Sequence, residues 1–391
     1  MQDKMFVSPD KYLQGAGLLE RSAQYISPFG NKILLISDDT VWEIAGEKFA
    51  KYLSNEGFTV KRVTFNGESS ANEVDRITKI EQSNKSEIII GLGGGKTLDT
   101  AKGVSENLEG TLIIAPTAAS ADAPTAGLSV IYTDDGVFDH YAYYKQHSDL
   151  VLVDTQVIAG APVRTLISGI GDAFATNIEA KATEKSFGAT FNGRGGVPTQ
   201  AGLAIASKCE ETLWKYAYEA VISNQNKIVT PELDKVVEAN ILLSGLGFEN
   251  GGLAAAHSIQ DGFTAISGEV HKLTHGEKVA FGTLVQLVLQ ETPHEELEKY
   301  LEFYTTLGLP VTLEQMHLDK ITDEEFTKIG EKATDPNETM SNMPFTVTSD
   351  MVINGMKAAS AIAHQFIQTH DIKPLFHNPV LGKISGPSIK D

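Results

Sequence analysis

The chain has a single cysteine, Cys209, in 391 residues. That excludes an intrachain disulfide framework and a cysteine-based zinc ribbon. Cys209 lies in AIASKCEETLWKY, where apolar residues recur at helical spacing, so it reads as a helix-packing thiol rather than a nucleophile. Long apolar runs are also missing. None approaches the roughly 18 consecutive apolar residues of a membrane-spanning helix. The opening MQDKMFVSPDKYLQG lacks the basic cap and apolar block of a secretion signal, and a cytoplasmic address is the expectation. Basic side chains are few, with 32 Lys and Arg against 51 Asp and Glu, a net charge of −19. Such a surface repels phosphate backbones and anionic bilayers, so neither nucleic acid nor membrane is expected as a partner.

What is present is a globular composition, 41% apolar and 21% charged, in a chain longer than one core usually serves. Two domains are expected. KILLIS (32–37), FTVKRVTF (58–65), SEIIIGL (86–92), GTLIIAP (110–116) and DLVLVD (149–154) are β-branched runs bounded by turn residues. Amphipathic stretches such as DTVWEIAGEKFAKYLSNEG and SANEVDRITKIEQSNK separate the first four. This alternation predicts an α/β domain with a largely parallel sheet over 1–160. Within it, Asp135-Gly136 marks a hairpin between two polar-apolar strands in 129–145. After Pro162 the period becomes helical through 305 and continues to 370 in shorter pieces. One of these, TDEEFTKIGEKATD, opens on a Thr-x-x-Glu capping box. An all-helical domain is predicted over 161–370, followed by an extended or mobile tail at 371–391.

The sharpest local feature is IIIGLGGGKTLDTAKGVSE (88–106), where a strand runs through Gly93-Gly94-Gly95 into a helix at Lys96-Thr97. Glycines admit positive φ and a close ligand, and a helix start offers free N–H groups and positive dipole. A phosphate or pyrophosphate is the natural guest. The loop matches neither common phosphate motif, because Ile90 and Lys96 stand where Walker A and Rossmann glycines belong. Asp38-Asp39 follow the strand KILLIS. A carboxylate there either binds an adenosine ribose and repels the extra phosphate of NADP, or caps the next helix.

The segment 251–282 places His257, His271 and His275 among small and apolar residues, where imidazoles need a metal or buried hydrogen bonds. His271 and His275 share a helix face if the segment is helical. In SGIGDAFATNIEAK, Asp172 either caps a helix after Gly171 or points into an interdomain cleft as an oxygen ligand. One carboxylate with two imidazoles forms a three-ligand site with an open position, the pattern of a catalytic metal.

GLGGGKTLDTAK, PTAASADAPTAGLSVIY, SGIGDAFAT, GGLAAAHSI and LTHGEKVAFGTLVQL, in that order, resemble bacterial glycerol dehydrogenases. These form a branch of the iron-containing alcohol dehydrogenase superfamily, which shares its architecture with 3-dehydroquinate synthase. The resemblance covers roughly residues 5–370. It implies an α/β nucleotide domain, an all-α catalytic domain and an active site in the cleft between them. It also implies Zn2+ on Asp172, His257 and His275, with His271 a cleft neighbour in the proton path. The NAD contacts carried over are Asp38, Gly94, Gly95, Lys96, Asp99, Thr117, Ser120, Leu128 and Tyr132, while Asp122 would hold a glycerol hydroxyl. Iron-dependent relatives carry a histidine four residues after the aspartate, where this chain has Thr176, and Ala126 replaces a frequent serine. The implied reaction is reversible oxidation of glycerol to dihydroxyacetone by NAD, hydride leaving a zinc-bound alkoxide. Another small vicinal diol, amino alcohol or hydroxyketone is the nearest alternative substrate. A homo-oligomer, an octamer, is implied as the assembly.

Overall fold

The central strands carry apolar residues at nearly every position, because helices cover both faces of the sheet there. The computed structural model describes residues 2–384. Its main sheet comprises β1 (Tyr12–Gly15), β2 (Lys32–Ser37), β3 (Thr59–Thr64), β4 (Ile88–Gly93), β5 (Thr111–Pro116) and β8 (Leu150–Asp154). The order is β1-β8-β5-β4-β2-β3, and every pairing is parallel. Alternation sorts the side chains: Leu34, Ile36, Ile89 and Ile114 enter one core, and Ile33, Leu35, Ile88, Ile90 and Ile113 the other. β6 (Leu128–Tyr132) and β7 (Phe138–Tyr143) form the expected antiparallel hairpin, with Gly136 at φ +80° in its turn.

Helices α1 (Glu47–Asn55), α2 (Ala71–Glu81) and α3 (Gly95–Leu108) link the strands. From β2 the chain moves to β3 on one side and then to β4 on the other. That reversal opens a crevice beyond the carboxyl ends of the strands. Asp38, Gly94 and Thr117 each follow the end of one of these strands. β1 is the element the sequence pattern did not reveal: YLQG is short, half-buried throughout and without alternation.

Beyond β8 the described elements are helical. They include α4 (Val163–Ser186), α5 (Gln200–Gln225), α6 (Pro231–Glu238), α7 (Ser244–Gly251), α8 (Ala255–Gly262), α9 (His275–Leu289), α10 (His294–Leu307), α11 (Asp323–Ala333) and α12 (Ser349–Thr369). α4 is the central one, packed by α5, α7 and α9. Cys209 is buried in α5 with its Sγ 3.4 Å from the Ala239 carbonyl, and burial pushes its thiol pKa up. The Thr322–Glu325 capping box forms at the start of α11. Where shorter pieces were expected, 349–369 is one continuous helix. No helix among the described residues is long and apolar enough to cross a membrane.

In its described part the tail takes the extended of its two expected forms. Residues 371–384 are extended but docked, with Ile372, Leu375, Phe376, Val380 and Leu381 packed on the main core. Residues 385–391 lie outside the described part of the chain.

Candidate metal and nucleotide site

α4 begins at Val163, so Asp172 stands mid-helix and caps nothing. Its neighbours are small, and α9 approaches closely. A Cβ on Gly276 would lie 1.8 Å from the Ser168 carbonyl oxygen, so only glycine permits this backbone contact. The approach brings His275, the first residue of α9, to Asp172, with Nε2 3.2 Å from Oδ1. His257 in α8 comes from another side, its Nε2 3.4 Å from the same oxygen. Ligand atoms of the three residues all lie within 4.8 Å of one another. Both Asp172 oxygens are buried and lack a satisfactory hydrogen-bond partner. A buried carboxylate in that state facing two imidazole nitrogens has the donor set of a divalent cation site.

The surrounding shell sets the ligands' orientation. Glu179, two turns along α4 from Asp172, accepts from the backbone N–H of Ala254 (2.8 Å) and His257 (3.0 Å). Its other oxygen lies 2.6 Å from His257 Nδ1. This leaves Nε2 for a metal and raises its basicity. Burial opposes the imidazolium, yet Glu179 and Asp172 together raise the His257 pKa well above its ordinary value. Burial also opposes the Asp172 charge, but His275 and His257 hold that carboxyl below the usual range.

Asp122 joins the same cleft. Burial first, then the Asp172 charge, pushes its pKa well up. Ser244 Oγ donates to its Oδ2 at 2.7 Å, and Thr176 Oγ1 lies 2.9 Å from Ser244 Oγ. Thr176, four residues after Asp172, therefore carries a hydroxyl that supports Asp122 through Ser244.

Along the crevice, Gly94 caps α3 with extended backbone, φ −83° and ψ 178°. None of Gly93, Gly94 and Gly95 adopts positive φ, contrary to the sequence expectation. A Cβ on Gly94 or Gly95 would meet no atom within 4 Å, so their bare backbone borders open space at a helix N-terminus. Asp38 caps the next helix by accepting from Val41 N–H at 2.8 Å through Oδ1, which leaves Oδ2 for a ribose. Asp39 is occupied by Arg62. Thr117 N–H donates to the Gly93 carbonyl, and the Ser120 carbonyl accepts from Ser168 Oγ. Leu128 and Tyr132 begin and end β6, and burial raises the Tyr132 phenol to about 12.

Two residues behave differently from a simple nucleotide contact. Asp99 is buried with both oxygens engaged, one by Lys102 at 3.0 Å and one by Val130 N–H at 3.1 Å. It anchors the hairpin to α3. Lys96 Nζ, 4.9 Å from the Tyr132 ring centre, donates to both oxygens of Glu68 at 2.6 Å. A dinucleotide phosphate approaching Lys96 must compete with that carboxylate. Glu68→Gln is therefore expected to tighten NAD about threefold to tenfold, read by titrating protein fluorescence. An unchanged or weaker affinity would show that Glu68 positions Lys96 instead.

His271 is not drawn into the cluster. It is exposed, in a 3-10 turn, with Nε2 2.7 Å from the Ile266 carbonyl. Extended Leu273 and the Thr274 cap separate that turn from α9, so His271 and His275 share no helix face.

A family model described as iron-containing alcohol dehydrogenase matches residues 9–155. Glycerol dehydrogenase 1 of Schizosaccharomyces pombe is 42% identical over 98% of this chain and 86% of its own length. The crystal structure of glycerol dehydrogenase from that organism superposes with a TM-score of 0.92, covering 97% of this chain and 96% of the other. Glycolaldehyde reductase of Halobacterium salinarum is 43% identical over 92% of this chain and 98% of its own. The chain belongs to the iron-containing alcohol dehydrogenase family. As an iron-containing alcohol dehydrogenase it is a dehydrogenase that uses a metal and NAD and acts on a small molecule.

Sequence reasoning missed several supporting residues of this alcohol dehydrogenase. Glu179 and Ser244 are two. Glu277 is the third: it closes a capping box with Thr274, and its carboxylate is gripped by Arg164 at 2.8 and 2.7 Å. The Thr-x-x-Glu spacing at 274–277 was the available signal for the last, and the i,i+7 spacing of Asp172 and Glu179 for the first.

Proposed function

We propose that this enzyme oxidises glycerol to dihydroxyacetone with NAD+, using Zn2+ held by Asp172, His257 and His275. The observation that supports it most is the buried Asp172 carboxylate, without adequate hydrogen bonds and facing two imidazole Nε2 atoms. Two nitrogens and an oxygen suit zinc, which leaves an open position for substrate. When bound, the cation supplies Lewis acidity that lowers the pKa of an alcohol and stabilises developing negative charge on oxygen.

The protein's own groups do the rest. Glu179 fixes the His257 tautomer, so that Nε2 faces the cation site. Asp122, steadied by Ser244, meets a second hydroxyl of the substrate and selects a polyol over a simple alcohol. The crevice at β2 and β4 holds the dinucleotide through Asp38, the bare backbone of Gly94 and Gly95, and Lys96. The balance is one CH–OH and NAD+ giving one C=O, NADH and a proton. NAD+, when bound, would supply the acceptor for the C–H electron pair, and the hydroxyl proton would pass to solvent. His275, with 43% of its side chain exposed, marks the open edge by which that proton leaves.

The similarity to a glycolaldehyde reductase keeps a second small hydroxycarbonyl substrate in view. The test is NADH absorbance with glycerol and NAD+ before chelation, after it, and with zinc or iron restored. Restoration by zinc supports the assignment. Restoration by iron alone would replace the metal, and activity only with glycolaldehyde would replace the substrate. Full activity in metal-free protein would reject the site.

A further inference from the structure

The docked segment 371–384 has no part in the chemistry above, yet its contacts lead to the metal site. Leu375 N–H donates to the Thr306 carbonyl at 2.7 Å, and Gln225 Nε2 donates to the Leu375 carbonyl at 2.8 Å. Further on, His317 Nε2 lies 2.7 Å from the Val380 carbonyl, and Gly382 N–H donates to the Gln315 carbonyl at 3.2 Å. Between these anchors, Asn378 turns inward. Its Oδ1 accepts from Val380 N–H at 3.1 Å, which leaves Nδ2 to donate to Glu277 Oε1 at 2.6 Å.

Glu277 is the joint between the two helices that present ligands. Its side chain is wholly buried. Arg164, from the first turn of α4, donates to both oxygens, and Thr274 N–H donates to Oε2 at 2.8 Å. Asn378 supplies a further bond, to Oε1. Glu277 stands two residues after His275, and Arg164 is on the helix of Asp172. The carboxylate therefore ties the start of α9 to α4 where the two backbones touch at Gly276 and Ser168. Without Asn378, Oε1 keeps only Arg164 Nε, and any relaxation of the carboxylate toward its remaining donors shifts the cap beneath His275.

We propose that Asn378 is a positioning residue for the metal site, and that segment 371–384 is a strap which holds Glu277, and through it the Asp172–His275 spacing, in place. The inference rests on the reading of Asp172, His257 and His275 as metal ligands. It predicts a role in metal retention for residues far along the chain from every ligand. Partners around metal ligands typically account for about 10–100-fold in affinity, and a residue one step further out is expected to act at or below the bottom of that range.

The test uses the full chain, stripped of metal and titrated with Zn2+ against a chelating dye, with the thermal midpoint of the metal-free protein measured alongside. Asn378→Ala is expected to weaken Zn2+ about threefold to tenfold. Asn378→Asp, which sets a second carboxylate against Glu277, is expected to weaken it further while the Km for NAD stays unchanged. Should the Asp variant fold poorly, the Ala variant's zinc release rate decides, with faster release expected. Zinc affinity equal to that of the wild type in both variants, even with a lowered thermal midpoint, would make the strap merely structural and overturn the proposal. A wild-type protein that binds no Zn2+ at all would remove the metal reading itself, and the strap's role with it.

Discussion

Replacing His257 with alanine is expected to leave a folded protein that retains no divalent metal and oxidises glycerol at least about a thousandfold more slowly. The metal's Lewis acidity is worth several kcal/mol in the transition state, and each tenfold in rate corresponds to about 1.4 kcal/mol. The fold survives because the ring, although largely buried, faces polar partners and belongs to no apolar core. Its loss does strand Glu179, which is buried and would keep only its two backbone donors. That costs about 1–3 kcal/mol and lowers the thermal midpoint by a few degrees. Glu179→Gln separates orientation from ligation: all three ligands stay, and metal affinity falls by about 10–100-fold. Metal content is read by atomic emission and rates by NADH formation. A metal-loaded, fully active His257→Ala protein would end the ligand assignment.

The second large effect concerns choice of substrate. Asp122→Ala is expected to cut kcat/Km for glycerol by about 10²–10³ while a one-hydroxyl alcohol changes by less than about threefold. A site built to hydrogen-bond a hydroxyl discriminates strongly, because its buried polar group is left unpaired by a substrate that lacks one. Asp122 is such a group, half-buried in the cleft with Ser244 engaging one oxygen. Asp122→Asn keeps the shape but puts an NH2 donor where one carboxyl oxygen stood, so it should fall between the wild type and alanine. Equal losses on both alcohols would give Asp122 a general structural role instead of a selective one.

Strands and long helices were readable because their information is local. IIIGLG is apolar at every position, since both of its faces are covered, and that pattern survives in any context. YLQG carries no such pattern and is a strand only because it pairs with β8. The helix at 349–369 read as fragments because residues such as Gly355 break its apolar stripe. In the structure that glycine lets α12 lie against Val285 and Leu289. In the site, chemistry-bearing residues stood out by type and surroundings, but their partners did not. Glu179 meets His257 across 78 positions, and Arg164 meets Glu277 across 113. Nothing at either end announces the other. His271 misled for the opposite reason: its spacing from His275 suggested a helix that the Thr274 cap interrupts.

Arg164, Ser168, Asp172, Thr176 and Glu179 all belong to α4, and each meets a different neighbour. A helix turns about 100° with each residue, so one inserted or deleted position between Asp172 and Glu179 would rotate one of them about 100° away from its partner. No compensating substitution elsewhere restores a lost phase. Over evolutionary time, then, this stretch can drift in composition but not in length.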